Sequence, residues 1–181
     1  LSERTGVDIV VNHTSRFDQH HQQLRDRISA GEFGTLITAN IIYYSGWQHN
    51  GVHIVDTLSY LMNDSFDIIK ITASTKSLYE NDPTLELEAV FKDCKSNITI
   101  KSFAEEFYQL FEIDLRFTQA RLRLEDFGNR ILLETKYINE IDENVIHLVD
   151  NGLTDKKIPP MQLAIRLITQ SIKRDDRSML D

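Results

Sequence analysis

The sequence predicts an α+β fold: an open, mainly antiparallel sheet of about six strands with helices packed on one face. Three observations carry this. From Ile68 onward apolar and polar residues alternate with period two, as in strands that bury one face. Before that, and again near the C-terminus, apolar residues recur at helical spacing. The period-two runs are separated by breaks short enough to be hairpin connections.

Taken in order, Ser2-Glu3-Arg4-Thr5-Gly6 reads as a helix tail ended by glycine, and Val7 to Val11 as a strand-like run. Phe17, His21, Leu24 and Ile28 then share one helical face, and Gly31 closes that helix. Thr35 to Tyr44, rich in β-branched and aromatic residues, is a long strand. A loop through Ser45-Gly46-Trp47 leads to a helix whose stripe is Val52, Val55, Leu58 and Met62.

In the period-two region Leu85, Leu87, Ala89 and Phe91 alternate with charged residues, as do Phe111, Ile113, Leu115 and Phe117, and then Leu122 and Leu124. Asp93-Cys94-Lys95, Thr118-Gln119-Ala120 and Phe127-Gly128-Asn129 are the expected hairpin connections. Met161, Ala164, Ile165, Ile168 and Ile172 mark a last amphipathic helix after Pro159-Pro160. Helices on the apolar side leave the other face of the sheet crowded with charges of both signs, set for cross-strand pairs of ~0.2–1 kcal/mol each.

The bulk numbers narrow the function. A chain of 181 residues, 41% hydrophobic, fits a single domain, residues 1–181, with a substantial core. Its net charge of −8 and lack of a basic block argue against nucleic acid as a partner. Gly31-Glu32-Phe33-Gly34 echoes a phosphate-clamping Gly-x-x-Gly loop, but its glutamate would repel phosphate. One cysteine, Cys94, excludes an internal disulfide and fits a reducing, cytoplasmic compartment. No apolar run approaches the ~20 residues that span a bilayer, so a membrane is not an expected partner. Three Asn-x-Ser/Thr triplets, at Asn12, Asn63 and Asn97, are read as chance.

The chemistry concentrates in Trp47-Gln48-His49-Asn50-Gly51-Val52-His53-Ile54-Val55-Asp56. In a regular α-helix His49 and His53 lie about 40° apart, so both imidazoles share a face. Gly51 between them allows close approach of a ligand or another backbone. Asn50 is a natural N-cap as well as a candidate substrate contact. Tyr44 and Trp47 are aromatic candidates either to stack on a ligand or to pack in the core. Asp56, one turn after His53, can fix that side chain, and Arg16 is a candidate contact or a surface ion pair.

The same residues carry a resemblance. His49 to Leu61 resembles the Gly-x-His-x-x-Asp-x-x-x-x-Leu motif of the glucose–fructose oxidoreductase/inositol dehydrogenase (Gfo/Idh/MocA) family. Val10 to Phe17 is similar to the segment in which that family leaves its nucleotide-binding domain. Leu24 to Ile28, with Gly31 to Leu36, matches the helix and Gly-x-x-Gly turn that follow there. The likeness is clear over roughly residues 7 to 62 and architectural beyond.

The resemblance implies the C-terminal substrate and oligomerisation domain of an NAD(P)-dependent oxidoreductase. It would act on a hydroxyl or ketone of a sugar, cyclitol or nucleotide-sugar. Residues 1–12 would be the remnant of the preceding Rossmann domain, whose Glu-Lys-Pro tripeptide and dinucleotide-binding turn would lie before Leu1. Both ends are accordingly expected to be cut, with Arg177 to Asp181 stopping where the family begins its final helix. NAD or NADP is the cofactor implied for the parent, with no tight binding by this fragment, which alone is expected to be inactive.

By the same resemblance His53 is the catalytic residue, and His49, Asn50, Trp47 and Arg16 are substrate-binding. A homo-oligomer would form through the open sheet face. His49 stands where many members carry aspartate, a departure that bears on proton transfer and substrate class. Two alternatives stand beside this reading. One is a non-catalytic ligand-binding or oligomerisation module. The other is a metal site on His49 and His53, spaced like the zinc pair of peptidases but with Asn50 where the general-base glutamate should be.

Overall fold

A computed structural model describes residues 13–104, 107–139, 146–150 and 160–174. The expected Ser2–Gly6 helix tail, the Val7–Val11 strand, Pro159 and the C-terminal Arg177–Asp181 lie outside these residues.

The chain enters through a 3-10 turn, Thr14–Phe17, and helix α1, Gln19–Ser29. Asp18 caps α1 by accepting the His21 backbone N–H, satisfying one of the donors a helix start leaves open. Phe17, His21 and Leu24 are buried as their spacing predicts, and Gly31, at φ +76°, ends the helix with its N–H on the Ile28 carbonyl.

Strand β1, Leu36–Tyr44, leads through a π turn at Trp47–Gly51 into helix α2, Val52–Met62. The remaining strands are β2 Phe66–Thr75, β3 Thr84–Phe91, β4 Asn97–Phe103, β5 Phe111–Phe117, β6 Ala120–Glu125, β7 Arg130–Ile138 and β8 Ile146–Asp150. Helix α3, Pro160–Arg174, follows.

All eight strands form one sheet, in the order β2-β3-β4-β1-β5-β6-β7-β8. The expectation of about six strands is therefore short. β1 lies inside the sheet, between β4 and β5, and β8 adds an edge on β7. One pair, β1 with β4, is parallel; every other pair is antiparallel. β1 thus joins two meanders, β2-β3-β4 on one side and β5-β6-β7-β8 on the other.

One face of the sheet is apolar. Ala39, Ile41 and Tyr43 of β1 align with Ile98 and Ile100 of β4 and with Ile113 and Leu115 of β5, all buried. Leu24 of α1 and Ile54, Leu58 and Leu61 of α2 join this core. The predicted α2 stripe is corrected here. Val52 and Val55 are exposed at 40% and 36%, whereas Ile54 and Leu61 are fully buried. Nearly every α2 side chain of either set is apolar, so periodicity alone could not choose between two faces that share Leu58.

The opposite face carries the charges as the alternation predicts, paired along β5 and β6 as well as across strands. Asp114 binds Arg116 at 2.6 Å and Arg121 through two bonds of 3.0 Å, while Arg123 reaches Glu125 and Glu134. Asn40, Ile42 and Glu112 sit with these residues along a shallow groove of about 380 Å³. Among the described residues no helix is long and apolar enough to cross a membrane.

Candidate functional site

The turn that presents His53 is locked from three directions. Asp82, in the loop before β3, accepts the backbone N–H of Gln48 at 2.7 Å through Oδ1 and that of His49 at 2.9 Å through Oδ2. A carboxylate at these open N–H groups satisfies two donors and opposes the positive end of the helix dipole. Gly46, at φ +79°, makes room for it, since a Cβ there would run into the Asp82 carboxylate. The Trp47 N–H binds the Pro83 carbonyl at 2.9 Å. Asn50, buried, donates through Nδ2 to the Tyr44 and Ser45 carbonyls at 2.9 and 2.8 Å. Asn50 therefore ties the turn to β1 rather than capping α2.

Gly51 does permit a close approach, but by the indole ring of Trp47, which occupies the space a Cβ would need. Trp47 also meets Tyr43 edge-on, ring centres 6.1 Å apart, and packs against the core. Tyr43 is buried, with its hydroxyl donating to the Leu85 carbonyl and accepting the Leu85 N–H; burial pushes its pKa up to about 12. Tyr44 meets Phe127 edge-on at 5.9 Å.

His53 follows in the first turn of α2 and lines a cavity of about 150 Å³. Ser15, His21 and Thr57 supply its other polar groups; Phe111, Ile113, Leu124 and Phe127 supply an apolar wall, with Gly128 at the hairpin. Small-molecule sites have this make-up, apolar walls with a few convergent polar groups. Phe127 holds φ +55°, a left-handed backbone that bulky residues rarely adopt, and stacks on Phe111 at 5.1 Å.

His53 is exposed, yet desolvation by the surrounding walls lowers its pKa from 6.5, and His13 lowers it further. Asp56 acts weakly in the opposite direction and His49 adds to the lowering. The ring is thus neutral near pH 7 and able to accept a proton. The His13 ring meets it edge-on at 6.0 Å.

Asp56 does not hold His53 by a hydrogen bond. Its buried carboxylate takes Arg16, Nε at 2.9 Å and Nη2 at 2.6 Å, both on Oδ1, and His13 Nδ1 lies 3.6 Å from Oδ2. The motif aspartate fastens the entering 3-10 turn to α2. His49 stacks on Tyr79, ring centres 3.8 Å apart, away from the cavity lining. The described lining thus contains His53 and none of His49, Asn50, Trp47 and Arg16. Nor does any cluster of three or more His, Cys, Asp or Glu among the described residues adopt a metal-holding arrangement.

His13, Asp18, His21, Asp82 and Phe127 were not singled out as site residues by the sequence. One signal was present: His21 is a titratable residue inside the apolar stripe Phe17, Leu24, Ile28, three positions after an N-cap aspartate. Asp82 gave none, because its partners are 33 and 34 residues away.

No protein-family model matches the sequence, and no curated protein matches it. Solved structures do. A putative NADPH-dependent oxidoreductase from Desulfitobacterium hafniense is similar with a TM-score of 0.70 at 13% identity, over 99% of this chain and 60% of its own. Gal80p of Saccharomyces cerevisiae, a super-repressor mutant, is similar at 0.69 and 13%, over 94% of this chain and 52% of its own. A 3-ketoreductase from Actinomadura kijaniata in complex with NADP is similar at 0.66 and 10%, over 99% and 58%. The chain spans between half and three-fifths of each of these proteins. The likeness is one of fold. The resemblance to the Gfo/Idh/MocA family that residues 7 to 62 carry in sequence extends, as fold, over 94–99% of the chain and to the C-terminal part of these proteins.

Proposed function

We propose that this chain is the C-terminal substrate-binding and oligomerisation domain of an NAD(P)-dependent oxidoreductase of the Gfo/Idh/MocA type. It acts at a ring hydroxyl or ketone of a sugar, cyclitol or nucleotide-sugar. The observation that carries the reading is His53: a neutral imidazole at a helix start, beside an apolar-walled cavity. Oxidising a secondary alcohol removes a hydride and a hydroxyl proton, and an imidazole of lowered pKa takes that proton near neutrality. The nicotinamide, supplied by the rest of the parent protein, would take the hydride. Reduction runs the same exchange in reverse, with imidazolium as proton donor.

In this reading the residues of the Trp47–Gly51 turn position His53, and the Arg16–Asp56 pair fixes the chain where it enters the domain. The charged sheet face associates with a second copy through a wet, polar interface. The protein works in the cytoplasm.

The test is turnover of the parent protein with NAD or NADP against a panel of sugars, cyclitols and nucleotide-sugars, followed by nicotinamide absorbance. Saturable turnover that falls with His53→Ala supports the reading; a parent that turns over none of the panel counts against it. A second reading, a binding module without chemistry, draws on the likeness to Gal80p, which in Kluyveromyces lactis is described as a transcriptional regulator. It predicts ligand binding at the same cavity and no hydride transfer.

A further inference from the structure

His21 is a buried histidine, 1% exposed, that proton exchange at His53 does not require. Its Nδ1 lies 2.5 Å from Asp18 Oδ2, and the same oxygen accepts its backbone N–H at 3.3 Å. A carboxylate only accepts, so Nδ1 carries a proton and the ring is fixed in one orientation. The other nitrogen, Nε2, is buried with no hydrogen-bond partner among the described residues. Burying such an atom without a partner is unfavourable, so its position asks for an occupant.

The surroundings of Nε2 say where that occupant lies. His21 lines the same cavity as His53, but reaches it from α1 rather than α2. On the hairpin side stands Gly128, where a Cβ would come within 3.0 Å of Nε2. Any side chain at this position would crowd the Nε2 edge of the ring, and glycine keeps it clear. Elsewhere in the cavity Phe111, Ile113 and Leu124 offer no side-chain polar group, and Ser15 and Thr57 make no hydrogen bond to Nε2.

We infer that His21 is a ligand-anchoring residue, its Nε2 bonding a hydroxyl of a small polyhydroxylated molecule that lies between it and His53. A hydroxyl suits the atom in either protonation state: it donates to Nε2 of the neutral ring and accepts from Nε2–H of the imidazolium. A carboxylate or phosphate would pair with the charged ring alone, and would do so beside Asp18. At ~30 Å³ per water, the cavity of about 150 Å³ holds the volume of roughly five waters, which admits the edge of one ring. Asp18 acts through His21 and is a positioning residue. The inference rests on the cavity being the substrate end of the site and adds a second imidazole to it.

The test uses the chain of residues 1–181 with ¹⁵N-labelled histidines, titrated with myo-inositol and, separately, with D-glucose. Long-range imidazole spectra should show His21 protonated at Nδ1, and its Nε2 signal should move saturably with at least one probe. His21→Phe, which keeps a ring in place, should weaken binding at least tenfold, read from the His53 signals. Asp18→Asn should weaken it too and shift the His21 tautomer signals before any probe is added. If His53 responds saturably while His21 does not, or His21→Phe binds as well as the unaltered chain, the inference falls and the cavity assignment stands. If neither histidine responds to either probe, the cavity assignment falls and takes the inference with it. Should His21→Phe fail to fold, the titration of the unaltered chain still decides.

Discussion

Asp82 holds the start of the His53 helix from across the fold, its Oδ2 accepting the His49 N–H at 2.9 Å over a separation of 33 residues. Its Oδ1 takes the neighbouring Gln48 N–H, so one side chain from the β2–β3 loop fixes two consecutive peptide groups. Losing it leaves both donors without their acceptor and brings no replacement charge to the helix end.

Asp82→Ala should therefore lower stability by ~0.5–2 kcal/mol, the range for lost helix caps, measured by urea denaturation. Asp82→Asn keeps one acceptor oxygen and should lie between the two. A change in the His53 imidazole signals of the folded Asp82→Ala protein would show that the cap also sets the geometry of the candidate site. Wild-type stability in Asp82→Ala would remove the cap from the account.

The Arg16–Asp56 pair makes a different prediction, because its partners differ in burial: side-chain exposure is 43% for arginine and 8% for aspartate. Arg16→Ala strands a buried carboxylate and should cost ~1–3 kcal/mol, with solvent reaching the arginine side drawing the value toward the low end. Asp56→Asn in the Arg16→Ala background should recover part of that loss. A double-mutant cycle with no coupling would mean the contact is incidental.

In the proposed parent enzyme His53→Ala should reduce kcat by ~10²–10⁴-fold if His53 exchanges the hydroxyl proton. The lowered pKa adds a sign. The acid limb of kcat/KM for alcohol oxidation should fall below pH 6.5, the ordinary imidazole value. Stability follows linkage: between the folded pKa and 6.5 the unfolded chain binds more protons, so stability rises with pH there and is lost as pH falls. His53→Gln should flatten that segment of the stability curve. A folded His53→Ala enzyme with near-normal turnover would end the assignment.

NAD(P) affinity of residues 1–181 alone should be weak. None of the seven glycines forms the Gly-x-Gly pair of a dinucleotide-binding turn, which places pyrophosphate at a helix start. Calorimetry finding micromolar affinity would overturn this. Elemental analysis of the same sample tests the metal alternative, which requires stoichiometric zinc lost on His49→Ala or His53→Ala.

Asp114 offers the test of association. It neutralises Arg116 and Arg121, which stand opposite each other in the β5–β6 register. Asp114→Arg would put four cations together on the open face, the new arginine with Arg116, Arg121 and the directly opposite Arg123. If that face joins two copies, sedimentation should show dimer becoming monomer, with α2 and its cavity unperturbed. An unchanged sedimentation coefficient would send the interface elsewhere.

How much of this was legible in the sequence depended on the range of the interaction. The hairpins of β3 to β7 were visible because alternation and turn residues are local signals. The placement of β1 inside the sheet was not, since a parallel neighbour is chosen by topology rather than by residues on either strand. His53 and Gly51 stood out by spacing, but the π turn between Trp47 and Gly51 breaks the regular phase from which a shared His49–His53 face had been drawn. Arg16 stood out without its partner, and His21 was read only as one residue of the Phe17, Leu24 and Ile28 helical face, because nothing in the local sequence shows that one of its ring nitrogens is left unpaired.

The parallel pairing of β1 with β4 has a consequence for how the protein forms. Thr38 meets Asn97, so closing the middle of the sheet requires the intervening chain, with α2, β2 and β3, to be looped out first. Such distant pairings slow folding, because the entropy of the loop is lost before the contacts that compensate it are made. Each flanking meander consists of near-neighbour hairpins and can form early. His53 and its Asp82 brace both lie within that loop, so the candidate centre should gain structure only in the last, slow step, when the two halves of the sheet are joined.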